Sequence, residues 1–177
     1  MSKFSVSDNT IDCVDINNRV NELTKMVNDF TLQEFLQCRV KIYEKELEHY
    51  QEIHAQVSSE HNYLAAEVVQ SCIVSTSRAR DVTLAFLQVL QNTYDELNML
   101  TLVVVEGRSL TSEWDKERLI NDRHLLTYVK ELAVYLKPMD TDSWPYCHIN
   151  WEAAAAAFKN DYTEMCIDGN LFFIRTE

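Results

Sequence analysis

Apolar residues in this chain recur at alternating four- and three-residue intervals, the interval that aligns side chains on one stripe of an α-helix. Ile16, Val20, Leu23, Val27 and Phe30 form the first stripe and predict a helix from about Asp12 to Asp29, after a polar start at residues 1–11. Thr31 and Glu34 then make the S/T-x-x-E pattern of a helix start, where hydroxyl and carboxylate satisfy free backbone N–H groups. Leu36, Val40, Tyr43, Leu47, Tyr50, His54, Val57, His61, Leu64 and Val68 hold one register beyond that point. A register sustained that long predicts a coiled-coil-like seam. As one helix, Leu32 to Val68 would be about 55 Å long. Ser58–Ser59 is the place where a new helix could begin, because serine caps helices. The register passes through it unchanged, which predicts continuity.

After Cys72, the stretch Ser75–Thr76–Ser77–Arg78 dilutes the pattern. A further helix is predicted from about Arg80 to Glu106, with Val82, Phe86, Val89, Leu97, Leu100 and Val104 among its apolar positions. Gly107 is expected to end it in a left-handed conformation, and the β-branched stretch Thr101–Val105 admits a short strand as the alternative. Ser112 is expected to cap a helix of Glu113 to Lys137, with Leu125, Val129, Leu132 and Leu136 on one face and Pro138 as its stop. Residues 138–149 read as a linker. Asn150 can cap a helix from Trp151 to Asn160, and Thr163–Ile167 and Leu171–Arg175 flank Asp168–Gly169, a strong hairpin signal. Such a hairpin is marginal alone, so it should dock on the helices or on a partner. The expected fold is mainly α. A long-helix bundle with coiled-coil character fills residues 1–137, and a small C-terminal helix and β-hairpin fill residues 150–177.

Composition sharpens this. Two glycines and two prolines in 177 residues leave too little turn chemistry for a many-stranded sheet. The net charge of −12 excludes free nucleic acid as a partner in the absence of a basic cluster, and Arg78–Ala79–Arg80 is too short to be one. Lys and Arg minus Asp and Glu give −5 for residues 1–60, −2 for 61–110, 0 for 111–137 and −5 for 138–177. Five separated cysteines without a CxxC pair, and a polar beginning at Met1–Ser5, are expected of reduced thiols in a cytosol. The nearly apolar run Met99–Val105 is too short for a bilayer, which takes about 20 residues.

Catalytic chemistry finds little to work with. Glu46-x-x-His49 has the ligand spacing of di-iron bundle sites, but no second Glu-x-x-His occurs, and His49 falls off the seam that carries His54 and His61. No glycine-framed serine or phosphate loop exists, Cys147–His148 are neighbours only in sequence, and Asp140/Asp142 lie in the linker. No catalytic residue, cofactor or metal is expected. The seam is the better clue. Tyr43 and Tyr50 are bulky for a two-stranded coil and suit a wider bundle, and Arg39 and Glu44 flank it where parallel copies could pair. Tyr43, Leu47, Tyr50, His54, Val57, His61 and Leu64, together with Trp144 and Trp151, are the expected partner-binding residues. Burial of His54 and His61 on the seam would make pairing loosen on acidification.

The segments His148–Ile149–Asn150–Trp151–Glu152–Ala153–Ala154, Asp161–Tyr162–Thr163 and Asp168–Gly169–Asn170–Leu171–Phe172–Phe173 resemble the ending of small accessory proteins carried by bacteriophages and prophages. The resemblance covers under a fifth of the chain and implies a bacterial cytosol and action on host machinery, with no activity or catalytic residues attached. The expected function is non-enzymatic protein–protein interaction, as a phage-encoded inhibitor or modulator of a host defence or nucleic-acid-processing protein. The alternatives are an acidic DNA-mimic decoy, whose carboxylates would need phosphate-like density, and a homo-oligomeric assembly protein.

Overall fold

The structure, a computed structural model, describes residues 9–27, 30–138, 140 and 143–176. Residues 1–8 of the polar start, Asp142 of the Asp140/Asp142 pair and the side chains of Phe30 and Thr31 lie outside the described set. The fold is mainly α. Five α-helices lie among the described residues: α1 (Cys13–Val27), α2 (Phe30–Ser59), α3 (Tyr63–Leu110), α4 (Leu125–Leu136) and α5 (Trp151–Phe158). Four short strands accompany them: β1 (Thr10–Asp12), β2 (Arg118–Asn121), β3 (Tyr162–Ile167) and β4 (Asn170–Arg175). The chain divides into two compact units, one of Leu23–Glu96 and one of Met1–Glu22 with Leu97–Glu177.

The helical unit follows the predicted register as far as Val57. Leu23, Val40 and Leu47 are buried, and Leu36, Tyr43, Tyr50, His54 and Val57 are half-buried on the same face of α2. The helix does not run on to Val68. His61 takes a left-handed φ of 58°, its N–H donates to Ser58 O at 3.2 Å, and Asn62 N–H donates to Val57 O at 3.1 Å. That pair of bonds closes α2 as a Schellman turn. Asn62 then opens α3, its side-chain oxygen accepting from Ala65 N–H at 3.3 Å. The predicted continuity fails because histidine and asparagine supply locally what the heptad pattern cannot register, a left-handed residue and a cap.

Beyond this turn α3 continues without interruption through Ser75–Arg78, so the gap predicted there is absent. Serine and threonine are only mildly poorer helix formers than leucine, and no glycine or proline interrupts the run. Thr76, Thr83 and the other half-buried positions Val69, Ile73, Arg80, Leu87, Leu90 and Tyr94 share the inner face of α3. The Tyr94 hydroxyl donates to Val27 O at 3.3 Å. Thr101–Val105, admitted above as a strand, is helical.

In the other unit the predicted helix of Glu113 to Lys137 is replaced by four elements, one of them a 3-10 turn at Asp122–His124. Trp114–Lys116 form a 3-10 turn, Arg118–Asn121 form β2, and only Leu125–Leu136 are α-helical. Of the predicted helix face, Leu125 and Val129 are buried while Leu136 is exposed. β2 is held by distant partners that local periodicity cannot reveal. It pairs antiparallel with β1, Ile11 opposite Leu119, and with β4, Ile120 opposite Phe173, and Arg118 Nε donates to Asp12 Oδ1 at 2.5 Å. The result is a four-stranded sheet in the order β1-β2-β4-β3. The C-terminal hairpin is therefore part of a shared sheet that includes residues 10–12 and 118–121, not a separate module.

Strand side chains alternate between two faces. Ile120 and Phe173 point to the face covered by Leu125 and Val129 of α4 and Ala155 of α5. Leu119, Phe172, Ile174 and Met165 point the other way and are also buried. The remaining buried apolar residues of this unit are Ile11 of β1, Cys13 and Ile16 of α1, Leu100, Val103 and Val104 of α3, Trp114, and Ile167 of β3. The hairpin has the predicted turn, with Asp168 at φ 47° and Gly169 at φ 73°, and α5 has the predicted cap, Asn150 Oδ1 accepting from Ala153 N–H at 3.0 Å.

Gly107 does not terminate α3, which runs on to Leu110. A Cβ at this position would fall inside the indole ring of the buried Trp114, so only glycine lets the two elements approach. Trp114 Nε1 in turn donates to Asn17 Oδ1 at 3.3 Å. Gly107→Ala is expected to destabilise this unit by about 1–3 kcal/mol through overpacking. Urea denaturation followed by tryptophan fluorescence checks this, and an unchanged midpoint would contradict the packing described.

Candidate partner-binding surface

The nine residues expected at a partner surface fall in three settings. Tyr43, Leu47, Tyr50, His54 and Val57 lie together on the inner face of α2, and Leu47 is buried. Arg39 is engaged on its own helix, its Nη2 donating to the Tyr43 hydroxyl at 2.5 Å and its guanidinium 4.8 Å from the ring centroid. His61 and Leu64 leave this face at the turn. His61 is exposed, so the premise that both histidines sit on one buried seam does not hold. Trp144 is 79% exposed in the segment before α5, whereas Trp151 is half-buried at the start of α5 with Lys130 Nζ 5.9 Å from its ring centroid.

A different face of α3 carries five of its ten exposed large apolar residues; Tyr63, Val74, Leu84, Leu102 and Val105 lie off it. Leu64 is 80% exposed, Val68 64%, Val82 59%, and Phe86 and Val89 61% each. At about 100° per residue these five lie on one stripe, which continues along the same helix to Leu100, Val104 and Gly107. Its C-terminal end is buried and its N-terminal two-thirds is not. Val82, Phe86, Val89, Leu100 and Val104 were legible as one apolar set in the sequence. That the first three would stay bare was not, because the covering of a stripe depends on what folds against it. On α2, Phe35 and Ile42 are also exposed, a heptad apart.

The sheet unit offers polar ground instead. A cleft of about 670 Å³ is lined by Glu113, Glu117, Asn160, Asp161, Arg175 and Thr176. A smaller one of about 250 Å³ shares Glu117 and Arg175 and includes Asp12, Arg118, Tyr128 and Tyr162. Burial pushes the Tyr162 hydroxyl up to about 12, with Tyr128 adding to the shift, and its ring stacks on Phe158 at 4.3 Å. Both clefts mix carboxylates with cations and contain no thiol or imidazole. Among the described residues no group of three or more His, Cys, Asp or Glu side chains could hold a metal ion. No helix of the described residues is long and apolar enough to cross a membrane.

Comparison with protein-family models, with curated proteins and with solved structures finds no match for this chain.

The cysteines separate by environment. Cys38, Cys147 and Cys166 are exposed, Cys72 is half-buried and Cys13 is fully buried. Burial first, then the carboxylates of Glu117, Asp12 and Asp115, push the Cys13 thiol up from 9.0 to about 12. A thiol held in its neutral form is a poor nucleophile. In native protein at pH 8, iodoacetamide is therefore expected to modify Cys38, Cys147 and Cys166 and to spare Cys13 until denaturant is added, as peptide mass spectrometry would record. Because the folded value is raised, the Cys13 contribution to stability is intact below pH 9 and is lost as pH rises toward about 12. Denaturation midpoints should fall above pH 9, and less steeply in Cys13→Ala; equal slopes would contradict this assignment.

Proposed function

We propose that this chain is a non-enzymatic protein-interaction protein that works through the bare stripe of α3. The observation that carries the reading is the exposure of Leu64, Val68, Val82, Phe86 and Val89 on one face of a single helix. Scattered exposed leucines are ordinary on a protein surface, but an aligned set along one helix marks a contact site. Phe86 supplies the aromatic anchor that such contacts favour. The reading moves the contact from the inner face of α2, whose residues are already half-covered, to the outer face of α3. Trp144 is a secondary point of attachment on the sheet unit.

The resemblance of the C-terminal segments to phage and prophage accessory proteins supports a bacterial cytosolic setting and a host protein as the target. The charge distribution weighs against a decoy for DNA. The stretch Tyr63–Gln91, which bears the stripe, has two acidic residues, Glu67 and Asp81, and two basic ones, Arg78 and Arg80. Contact there rests on apolar burial, so it should survive high salt.

Phe86→Glu with Val89→Glu tests this reading. Both positions are exposed, so the folded chain should tolerate the change, and circular dichroism should match the parent. Proteins captured from bacterial lysate by the tagged parent at 0.5 M salt are expected to be lost with the variant, on the order of tenfold or more. Undiminished capture would place the contact elsewhere.

A further inference from the structure

Four of the five apolar residues of the bare stripe of α3 are placed symmetrically about Ser75. Val68 and Val82 stand seven residues on either side of Ser75, and Leu64 and Phe86 stand eleven on either side. At about 100° per residue, offsets of seven and eleven return to within about 20° of the Ser75 direction, so all four side chains flank one line. Four residues from the centre on each side are Ser71 and Ala79, small residues that let a second helix approach closely. The four outer residues are all 59–80% exposed. A two-fold contact requires this arrangement, because residue i of one copy must meet residue j of the other while j meets i.

We infer that a second copy of this chain covers the outer face of α3, antiparallel to it about a two-fold axis at Ser75. Leu64 of one copy then packs on Phe86 of the other, and Val68 on Val82, over a contact about 33 Å long. Charge does not oppose a copy of this chain on this face. Two chains of net charge −12 repel over most of their surfaces, whereas Tyr63–Gln91 sums to zero. The small buried set of the helical unit, Leu23, Val40 and Leu47, agrees with a unit that completes its apolar packing with another copy. This inference rests on reading the stripe as a protein contact; the second copy fills it in the purified chain, and a host target would compete for the same face.

The test uses the full chain and reads mass by analytical ultracentrifugation across a hundredfold range of concentration. The parent is expected at twice the chain mass. Val68→Glu alone and Val82→Lys alone are each expected to give monomer with unchanged helicity. The two together should restore the dimer, because in the antiparallel register the introduced carboxylate faces the introduced ammonium of the other copy. Restoration also shows that neither single variant acted by unfolding the chain. A parent that is monomeric throughout overturns the inference, as does a single variant that remains dimeric or a folded double variant that remains monomeric. In the first case the lysate capture with Phe86→Glu and Val89→Glu still decides separately whether the stripe is a protein contact.

Discussion

A long amphipathic helix buries its apolar stripe only where another element lies against it, and α3 has more stripe than the described residues cover. Leu100, Val103, Val104 and Gly107 are enclosed. Leu64, Val68, Val82, Phe86 and Val89 continue the same stripe in contact with water. The uncovered portion comprises several large apolar side chains, and each is worth about 1.5–3 kcal/mol when fully buried. A surface of that kind is a standing driving force for association. The functional reading and the two-fold pairing both follow from this mismatch between stripe length and cover.

The sheet unit rests on a second constraint, the position of β2 inside the sheet. Its residues Leu119, Ile120 and Asn121 are buried because β1 and β4 flank it and both faces are covered. Asn121 is a polar residue in that setting, and its side chain is used locally, accepting from Arg123 N–H at 3.1 Å. The pairing joins residues 10–12, 118–121 and 170–175, so the ends of the sequence are tied to its middle. Trp114 fills the space beside Gly107 just ahead of this strand, and the close approach leaves no room for a side chain at 107. Lys159 reinforces the opposite side, pairing with Asp122 at 2.8 Å while its ammonium lies 4.5 Å from the centroid of Phe173.

What the sequence revealed divides cleanly by range. The stripes of α1 and α2, the Asn150 cap and the Asp168–Gly169 turn are encoded within a few residues, and all are present. The turn at Glu60–Asn62 is also local, but it uses histidine where glycine is usual, and the apolar register crosses it without a break. Attention to Asn62, a capping residue three positions before Ala65, is the signal that would have located it. β1 and β2 are three and four residues long and owe their conformation to partners more than fifty residues away, so no window of periodicity contains them. The bare stripe was half legible. Val82, Phe86 and Val89 stood out as apolar, but the inner face of α3, with Val69, Ile73, Leu87, Leu90 and Tyr94 beside Thr76, Arg80 and Thr83, is apolar as well. Hydrophobicity alone therefore does not say which side the chain itself covers.

The central claim is that the N-terminal two-thirds of the α3 stripe is covered by association, and amide hydrogen exchange on the intact chain addresses it directly. Exchange at residues 64–89 should slow as protein concentration rises from sub-micromolar to millimolar, while amides of residues 100–107 and of β2 and β4 keep constant protection. Exchange at residues 64–89 that is the same at every concentration would contradict the account.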